Sequence, residues 1–211
     1  MHQKNIITAG KKLEETGKVL IMLHGRGSTA KNILSIAGNL HVDHYTLVAP
    51  QATNDTWYPY SFLEQPLRNE PWLSSALSLL GDLVSDLDWK IGKKNIYLLG
   101  FSQGACLTLE FLARNADKYG GGIAFTGGLI GDKIYPENYR GDFQRTPVFI
   151  GSSDPDPHVP VERVHDTARI LKEMNASVIE RIYERIGHTI IQDEFDQANR
   201  ILSERSATPS V

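Results

Sequence analysis

A chain of 211 residues, of which 41% are hydrophobic, is long enough to bury one sizeable core. Its 25 acidic and 22 basic residues give a formal net charge of −3, so it has no basic field to attract a polyanion. The sequence predicts a single domain over residues 1–205 with a disordered polar tail at 206–211, and it excludes nucleic acid as a partner.

The N-terminal segment and the apolar runs of the chain indicate where the protein resides in the cell, and the single cysteine has a structural interpretation. The segment MHQKNIITAG has no long apolar run, and no stretch reaches the roughly 18 apolar residues that a membrane span needs. We therefore predict a cytoplasmic protein without a membrane span. Cys106 cannot form an internal disulfide, and it lies in an apolar helical run, so we interpret it as a core residue.

Short β-branched runs alternate along the chain with segments of helical period. This pattern predicts an α/β protein with a mostly parallel sheet and helices on both faces. Residues 6–13 are expected at a sheet edge. The strands predicted after them cover residues 19–23, 46–49, 95–99, 122–125, 148–150 and 178–183. The predicted helices cover residues 29–38, 74–91, 103–116, 161–175 and 190–204.

Two segments without regular structure, 51–71 and 127–147, each follow a predicted strand. Loops at the carboxyl ends of parallel strands are where such sheets bind ligands, so we expect both segments to form walls of a site. Plain solvent loops are the alternative. Large apolar side chains in and beside the first segment are candidates to line a pocket, although they could instead fill the core. They are Trp57, Tyr58, Phe62, Leu63 and Trp72.

The pentapeptide GFSQG, with Ser102 at its centre, follows the apolar strand NIYLL and precedes a helical run. A serine hydroxyl is a poor nucleophile unless it is held exposed beside a base, and a sharp turn from strand to helix holds it so. Glycines at positions 100 and 104 permit such a turn. The placement of the motif predicts that Ser102 is a nucleophile.

The sequence HGRGS, residues 24–28, follows the first apolar strand. Backbone N–H groups at this position can stabilise the negative charge of a tetrahedral intermediate. We assign the donors as the amides of Arg26 and Gln103. A tight glycine turn into a helix is the alternative interpretation.

Among seven histidines, His188 lies where a base is expected, between the last predicted strand and the last predicted helix. We predict that its imidazole reaches Ser102. His41 and His44 lack cysteine or carboxylate partners apart from Asp43, so we predict no metal site.

A catalytic triad needs, besides the serine and the histidine, an Asp or Glu that orients the histidine. When the serine lies on a turn from strand to helix, the three residues follow one another along the chain in the order Ser, Asp or Glu, His, so the acid must lie between Ser102 and His188. The segment GSSDPDPHVP, residues 151–160, offers two candidates. Asp154 lies at the usual distance from the strand end, whereas Asp156 heads the run DPHVP that leads into the next helix. We prefer Asp156 and expect the other aspartate to cap a turn or the following helix.

GFSQGA, HGRGS, DPHVP and GHT together resemble the motifs of the bacterial phospholipase/carboxylesterase family of α/β-hydrolases, which includes acyl-protein thioesterases. The resemblance covers most of the chain. It implies the α/β-hydrolase fold, a triad of Ser102, Asp156 and His188, and an oxyanion hole at Arg26 and Gln103. Two features depart from the family. The segment 151–160 is longer than the usual G-x-x-D-P-x-V-P, and TWYPYSF stands where the thioesterases have W-F-D, which argues against a protein-palmitoyl substrate.

The prediction that results is a serine carboxylesterase that hydrolyses small to medium-chain esters through an acyl-enzyme at Ser102, without a cofactor. A lysophospholipase, thioesterase or lactone hydrolase of the same fold is the alternative. A non-catalytic binding protein is disfavoured because candidates for nucleophile, base and acid are all present. The expected partner is a small-molecule ester, and a homodimer is left open.

Overall fold

Seven strands form one sheet in the computed structural model, which describes residues 1–203. The strands are β1 (Ile6–Gly10), β2 (Val19–Leu23), β3 (Thr46–Pro50), β4 (Ile96–Phe101), β5 (Gly121–Phe125), β6 (Pro147–Asp154) and β7 (Ser177–Glu184). Their order across the sheet is β1-β3-β2-β4-β5-β6-β7. The edge strand β1 runs antiparallel to β3, and the other neighbouring strands are parallel.

Helices cover both faces of this sheet. They are α1 (Leu13–Thr16), α2 (Ala30–Ser35), α3 (Trp72–Ile91), α4 (Gln103–Arg114), α5 (Val161–Glu173) and α6 (Gln192–Ser203). One hydrophobic core takes Val19, Ile21 and Leu23 of β2 together with α3, α4 and α5, and the other takes Leu20 and Met22 together with α2 and α6. Because β2 is buried on both faces, its sequence reads as a continuous apolar run.

The predicted fold class is confirmed. The short helix α1 was not predicted, and further differences lie at element ends. The α-helix predicted over residues 29–38 begins at Ala30, because the Thr29 hydroxyl accepts from the Asn32 N–H as a cap. It ends at Ser35, and a 3₁₀ helix (Ile36–Asn39) continues it past Gly38, the predicted end. The last helix begins two residues later than predicted, and the predicted tail at 206–211 lies outside the described residues.

The parallel arrangement brings the carboxyl ends of β2, β4, β6 and β7 to the same edge of the sheet. The segments that follow these four strands carry the HGRGS motif, Ser102, Asp156 and His188, and Asp154 is the last residue of β6. Over residues 1–203, no helix has the length and apolar character needed to cross a bilayer.

Candidate active site

Ser102 occupies a sharp turn between β4 and α4, with φ 54° and ψ −118°. Its N–H donates to the Phe125 carbonyl (2.9 Å), and its carbonyl accepts from the Cys106 N–H (3.0 Å). A Cβ at Gly100 would collide with the Gly104 carbonyl, and one at Gly104 with the Leu23 carbonyl. The two glycines therefore allow the close approach that holds a serine in this strained conformation.

Three side chains from separate loops form one chain of hydrogen bonds. The Ser102 Oγ lies 2.8 Å from His188 Nε2, and His188 Nδ1 lies 2.9 Å from Asp156 Oδ2. The His188 side chain is 19% exposed, whereas that of Asp156 is fully buried. A serine hydroxyl in this position can transfer its proton to the imidazole, whose other nitrogen is oriented by the carboxylate.

The two aspartates of the acid loop have different surroundings. Asp156 Oδ1 accepts from the backbone N–H groups of His158 (2.8 Å) and Val159 (2.9 Å), so the same carboxylate caps the turn and faces His188. The Asp154 side chain is exposed and makes no hydrogen bond or ion pair with any part of residues 1–203. The expectation that the second aspartate caps a turn is therefore wrong, since Asp156 fills that position too.

The electrostatics of Asp156 favour its charged form. Burial raises the cost of the negative charge, but the hydrogen bonds from the His158 N–H, from His188 and from the Val159 N–H outweigh it, so the pKa of Asp156 is lowered. The rings of Phe101 and His158 pack against His188, with centroids 5.2 and 4.9 Å from its own. The imidazole is thus fixed on two sides and beside a carboxylate that stays ionised.

The HGRGS loop packs directly against Ser102. A Cβ at Gly25 would lie 3.5 Å from the Ser102 Cβ. Arg26 follows Gly25 in the chain and Gln103 follows Ser102, and both predicted donor residues line the same cavity as Ser102. The Gln103 amide is also the first of helix α4, where the helix dipole favours negative charge.

Sequence reasoning missed the contribution of His24. This residue is fully buried, its Nε2 accepts from the Ala52 N–H (3.1 Å), and its Nδ1 donates to the Gly25 carbonyl (2.8 Å). Burial lowers the pKa of His24, so its ring is neutral and can both donate and accept. His24 thereby connects the HGRGS loop to the loop that follows β3.

The Gln103 side chain has a role that the sequence did not reveal. It is buried, its Oε1 accepts from the Trp57 N–H (2.9 Å), and its Nε2 donates to the Tyr58 carbonyl (2.8 Å). The aromatic-rich loop is therefore held to the residue next to the nucleophile. An amide side chain after the serine was the available signal, since an amide can donate and accept at once.

A cavity of about 700 Å³ opens at Ser102 and His188. Three of the predicted pocket residues, Tyr58, Phe62 and Leu63, line it. Cys106 also borders it, and burial raises the pKa of this thiol to about 12, which leaves it protonated and unreactive. Within residues 1–203 no three His, Cys, Asp or Glu side chains are grouped to hold a metal ion.

The other two predicted pocket residues lie outside this cavity, which corrects the prediction for them. Trp57 is fully buried in the core, where its indole N–H donates to the His24 carbonyl (2.8 Å). Trp72 begins helix α3, and its ring packs against that of His2 at 5.3 Å. The Trp57 ring gains more from complete burial than from lining a wet cavity, whereas Trp72 is half-buried, and the sequence does not tell which surroundings each ring obtains.

Comparison with known proteins places the chain in a structural class. It superposes on the crystal structure of a phospholipase/carboxylesterase from Dyadobacter fermentans with a TM-score of 0.93, at 51% identity over 95% of this chain and 97% of that one. The crystal structure of esterase PE8 matches with a TM-score of 0.76 at 23% identity, over 93% and 96% of the two chains. The fold is that of the α/β-hydrolases.

The sequence comparisons define the family more narrowly. The model of the phospholipase/carboxylesterase family matches residues 2–205, and the chain belongs to that family. It is also 30% identical to an acyl-protein thioesterase 1 from Gibberella zeae, over 87% of this chain and 88% of the relative. The chain is therefore a hydrolase of a family whose members carry carboxylesterase and thioesterase names.

Proposed function

We propose that this protein is a serine carboxylesterase that hydrolyses small to medium-chain carboxylic esters through an acyl-enzyme at Ser102. The observation that carries the proposal is the hydrogen-bonded series Ser102, His188 and Asp156 at the mouth of a cavity. The strained backbone at Ser102 supports it, because such strain is retained where it exposes a nucleophile.

The reaction proceeds in two acyl-transfer steps. His188 Nε2 takes the Ser102 proton as Oγ bonds to the ester carbonyl carbon, and it then gives that proton to the alcohol oxygen as the carbon–oxygen bond breaks. In the second step water attacks the acyl carbon while His188 accepts a proton from it, and His188 then returns that proton to Ser102 Oγ as the carbon–Oγ bond breaks and the carboxylic acid leaves. Asp156 accepts from Nδ1 throughout, which keeps Nε2 free to accept and stabilises the imidazolium.

The backbone amides of Arg26 and Gln103 are the proposed oxyanion hole. The developing negative charge on the carbonyl oxygen needs donors that are already in place when it forms. Gln103 is anchored through its side chain to the aromatic-rich loop, and the Arg26 guanidinium donates to the carbonyls of Pro59 (2.7 Å) and Tyr60. These contacts hold both residues rigidly, which supports preorganised donors.

The cavity supports a substrate of limited size. Its volume of about 700 Å³ falls within the range of sites that enclose a small molecule. Tyr58, Phe62 and Leu63 give it an apolar wall suited to an alkyl acyl chain. Thioesterase, lysophospholipase and lactone hydrolase activities are the alternatives, and the thioesterase relatives favour the first of these.

Covalent labelling tests the proposal directly. A fluorophosphonate probe should label the wild-type protein at Ser102, and mass mapping would locate the label. The variant Ser102→Ala should fold but lose labelling and hydrolysis, with turnover reduced on the order of 10⁶-fold. Ser85→Ala, an exposed helical serine, is the matched control and should retain both. Hydrolysis by Ser102→Ala within tenfold of wild type would contradict the mechanism and leave a binding or different catalytic role.

A panel of 4-nitrophenyl esters of increasing acyl length, with the corresponding thioesters and a lysophospholipid, would separate the substrate classes. We expect the highest kcat/KM for oxygen esters of short to medium chains. A cytoplasmic location is a prediction that cell fractionation would test, and size-exclusion chromatography with light scattering would measure the oligomeric state, for which the sequence left a homodimer open.

A further inference from the structure

A second cavity, of about 430 Å³, adjoins the catalytic cavity. The two share Gly25, Ser28, Phe101 and His188 as lining residues. Ser102 lines the first cavity and is absent from the described lining of the second. His188 is therefore the catalytic group that the two cavities have in common.

The second cavity lies between α2 with its 3₁₀ extension and the start of α6. Ile33 and Ile36 form one wall, and Ile190 and Phe195 form the other. Ile33 and Phe195 belong to the second hydrophobic core, and the half-buried side chains of Ile36 and Ile190 pack against that core. The described lining also includes the polar but uncharged residues Ser28, Asn32 and Thr189, and none of its residues carries a formal charge other than the ionisable His188.

We propose that the second cavity binds the alcohol part of the ester, and that it selects uncharged apolar alcohols. This inference rests on the proposed function. When the first tetrahedral intermediate breaks down, His188 Nε2 donates its proton to the alcohol oxygen, so the alcohol must lie beside His188. The acyl carbon remains bonded to Ser102 Oγ, which lines the first cavity. Because the second cavity reaches His188 without reaching Ser102, we assign the acyl chain to the first cavity and the alcohol to the second.

The lining of the second cavity determines which alcohols it accepts. Isoleucine and phenylalanine side chains gain from burying an alkyl or aromatic alcohol. A quaternary ammonium or phosphate group in the same place would lose hydration without an opposite charge to replace it. The cavity therefore disfavours the charged alcohol of a lysophospholipid and favours simple alkyl and benzyl esters.

A pair of esters of equal shape tests the charge preference. Butyrylcholine and 3,3-dimethylbutyl butyrate share the acyl group and differ in whether nitrogen or carbon stands at the branched centre of the alcohol. We expect the uncharged ester to have a kcat/KM about tenfold higher or more, in line with what one unfavourable pocket contact costs. The ratio kcat/KM is the required measure, because a common acyl-enzyme gives both esters the same kcat when deacylation limits the rate.

A substitution in the second cavity tests its location. Ile36→Trp should reduce the ratio of kcat/KM for benzyl butyrate to that for methyl butyrate by about tenfold, because the indole occupies space that the benzyl group needs. Lys31→Trp places the same side chain at an exposed position of α2 and should leave this ratio unchanged.

The outcomes separate the inference from the function on which it depends. Wild-type protein that hydrolyses neither methyl nor benzyl butyrate overturns the proposed esterase function. If both esters are hydrolysed, two results overturn the alcohol site and leave the esterase function standing. One is an Ile36→Trp variant whose benzyl-to-methyl ratio of kcat/KM equals that of wild type. The other is a higher kcat/KM for butyrylcholine than for 3,3-dimethylbutyl butyrate.

Discussion

The hydrogen bonds of Asp156 determine what happens when Asp156→Asn replaces one carboxylate oxygen with an NH₂ group. Its Oδ1 accepts two backbone N–H groups, at 2.8 and 2.9 Å, while its Oδ2 faces His188 Nδ1 at 2.9 Å. In Asp156→Asn the two backbone donors require the amide oxygen at the Oδ1 position. The amide nitrogen must then occupy the Oδ2 position, where it donates to Nδ1.

This arrangement inverts the tautomer of His188. Since Nδ1 becomes an acceptor, the ring proton moves to Nε2, which can no longer take the proton of Ser102. Loss of the correct tautomer in a serine protease triad reduces turnover by about 10⁴, or about 5 kcal/mol of transition-state stabilisation. Both backbone hydrogen bonds persist, so we expect Asp156→Asn to fold with a Tm within a few degrees of wild type.

The assay compares Asp156→Asn with Asp154→Asn on a 4-nitrophenyl ester of short acyl length. The Asp154 side chain is exposed and unpartnered among residues 1–203, so its replacement should leave kcat/KM within about twofold and the Tm unchanged. Nitrogen-15 NMR of labelled histidine would report the tautomer of His188 independently of rate. Retention of more than a tenth of the wild-type kcat/KM by Asp156→Asn, with a large loss in Asp154→Asn, would refute this reasoning.

Two further predictions concern pH. The pKa of Asp156 is lowered, so this carboxylate stays ionised on mild acidification and continues to accept from His188 Nδ1. Since a protonated His188 cannot accept the Ser102 proton, kcat/KM should decrease on acidification, and a profile that stays flat until the protein unfolds would exclude His188 as the base. Burial raises the pKa of Glu194 from 4.5 to about 7, so the folded protein holds a proton that the unfolded chain releases, and stability should decline as pH rises between these values by up to about 3 kcal/mol. Glu194→Gln, measured by chemical denaturation at pH 5 and 8, should abolish that decline, and an unchanged pH dependence would exclude Glu194 as its source.

Much of the fold could be predicted from sequence because its signals are local. The run VLIML is apolar at every position since β2 is buried on both faces, and a glycine at position 100 is needed because the turn brings its backbone against that of Gly104, four residues later. The order of nucleophile, acid and base along the chain then limited the candidates for each role. These features depend on neighbours in sequence, so pattern and spacing were sufficient to predict them.

The tertiary structure decided what depends on contacts between distant segments. Asp154 and Asp156 are two residues apart, and the turn closed by the His158 and Val159 N–H groups is what directs Asp156 toward His188. Trp57 and Trp72 are residue types that often line pockets, yet Trp57 packs against His24, Trp72 packs against His2, and neither lines the cavity. The second cavity joins Ile36 to Ile190, which are far apart in the chain. No local pattern encodes such a meeting, because the path of the whole sheet brings the two segments together.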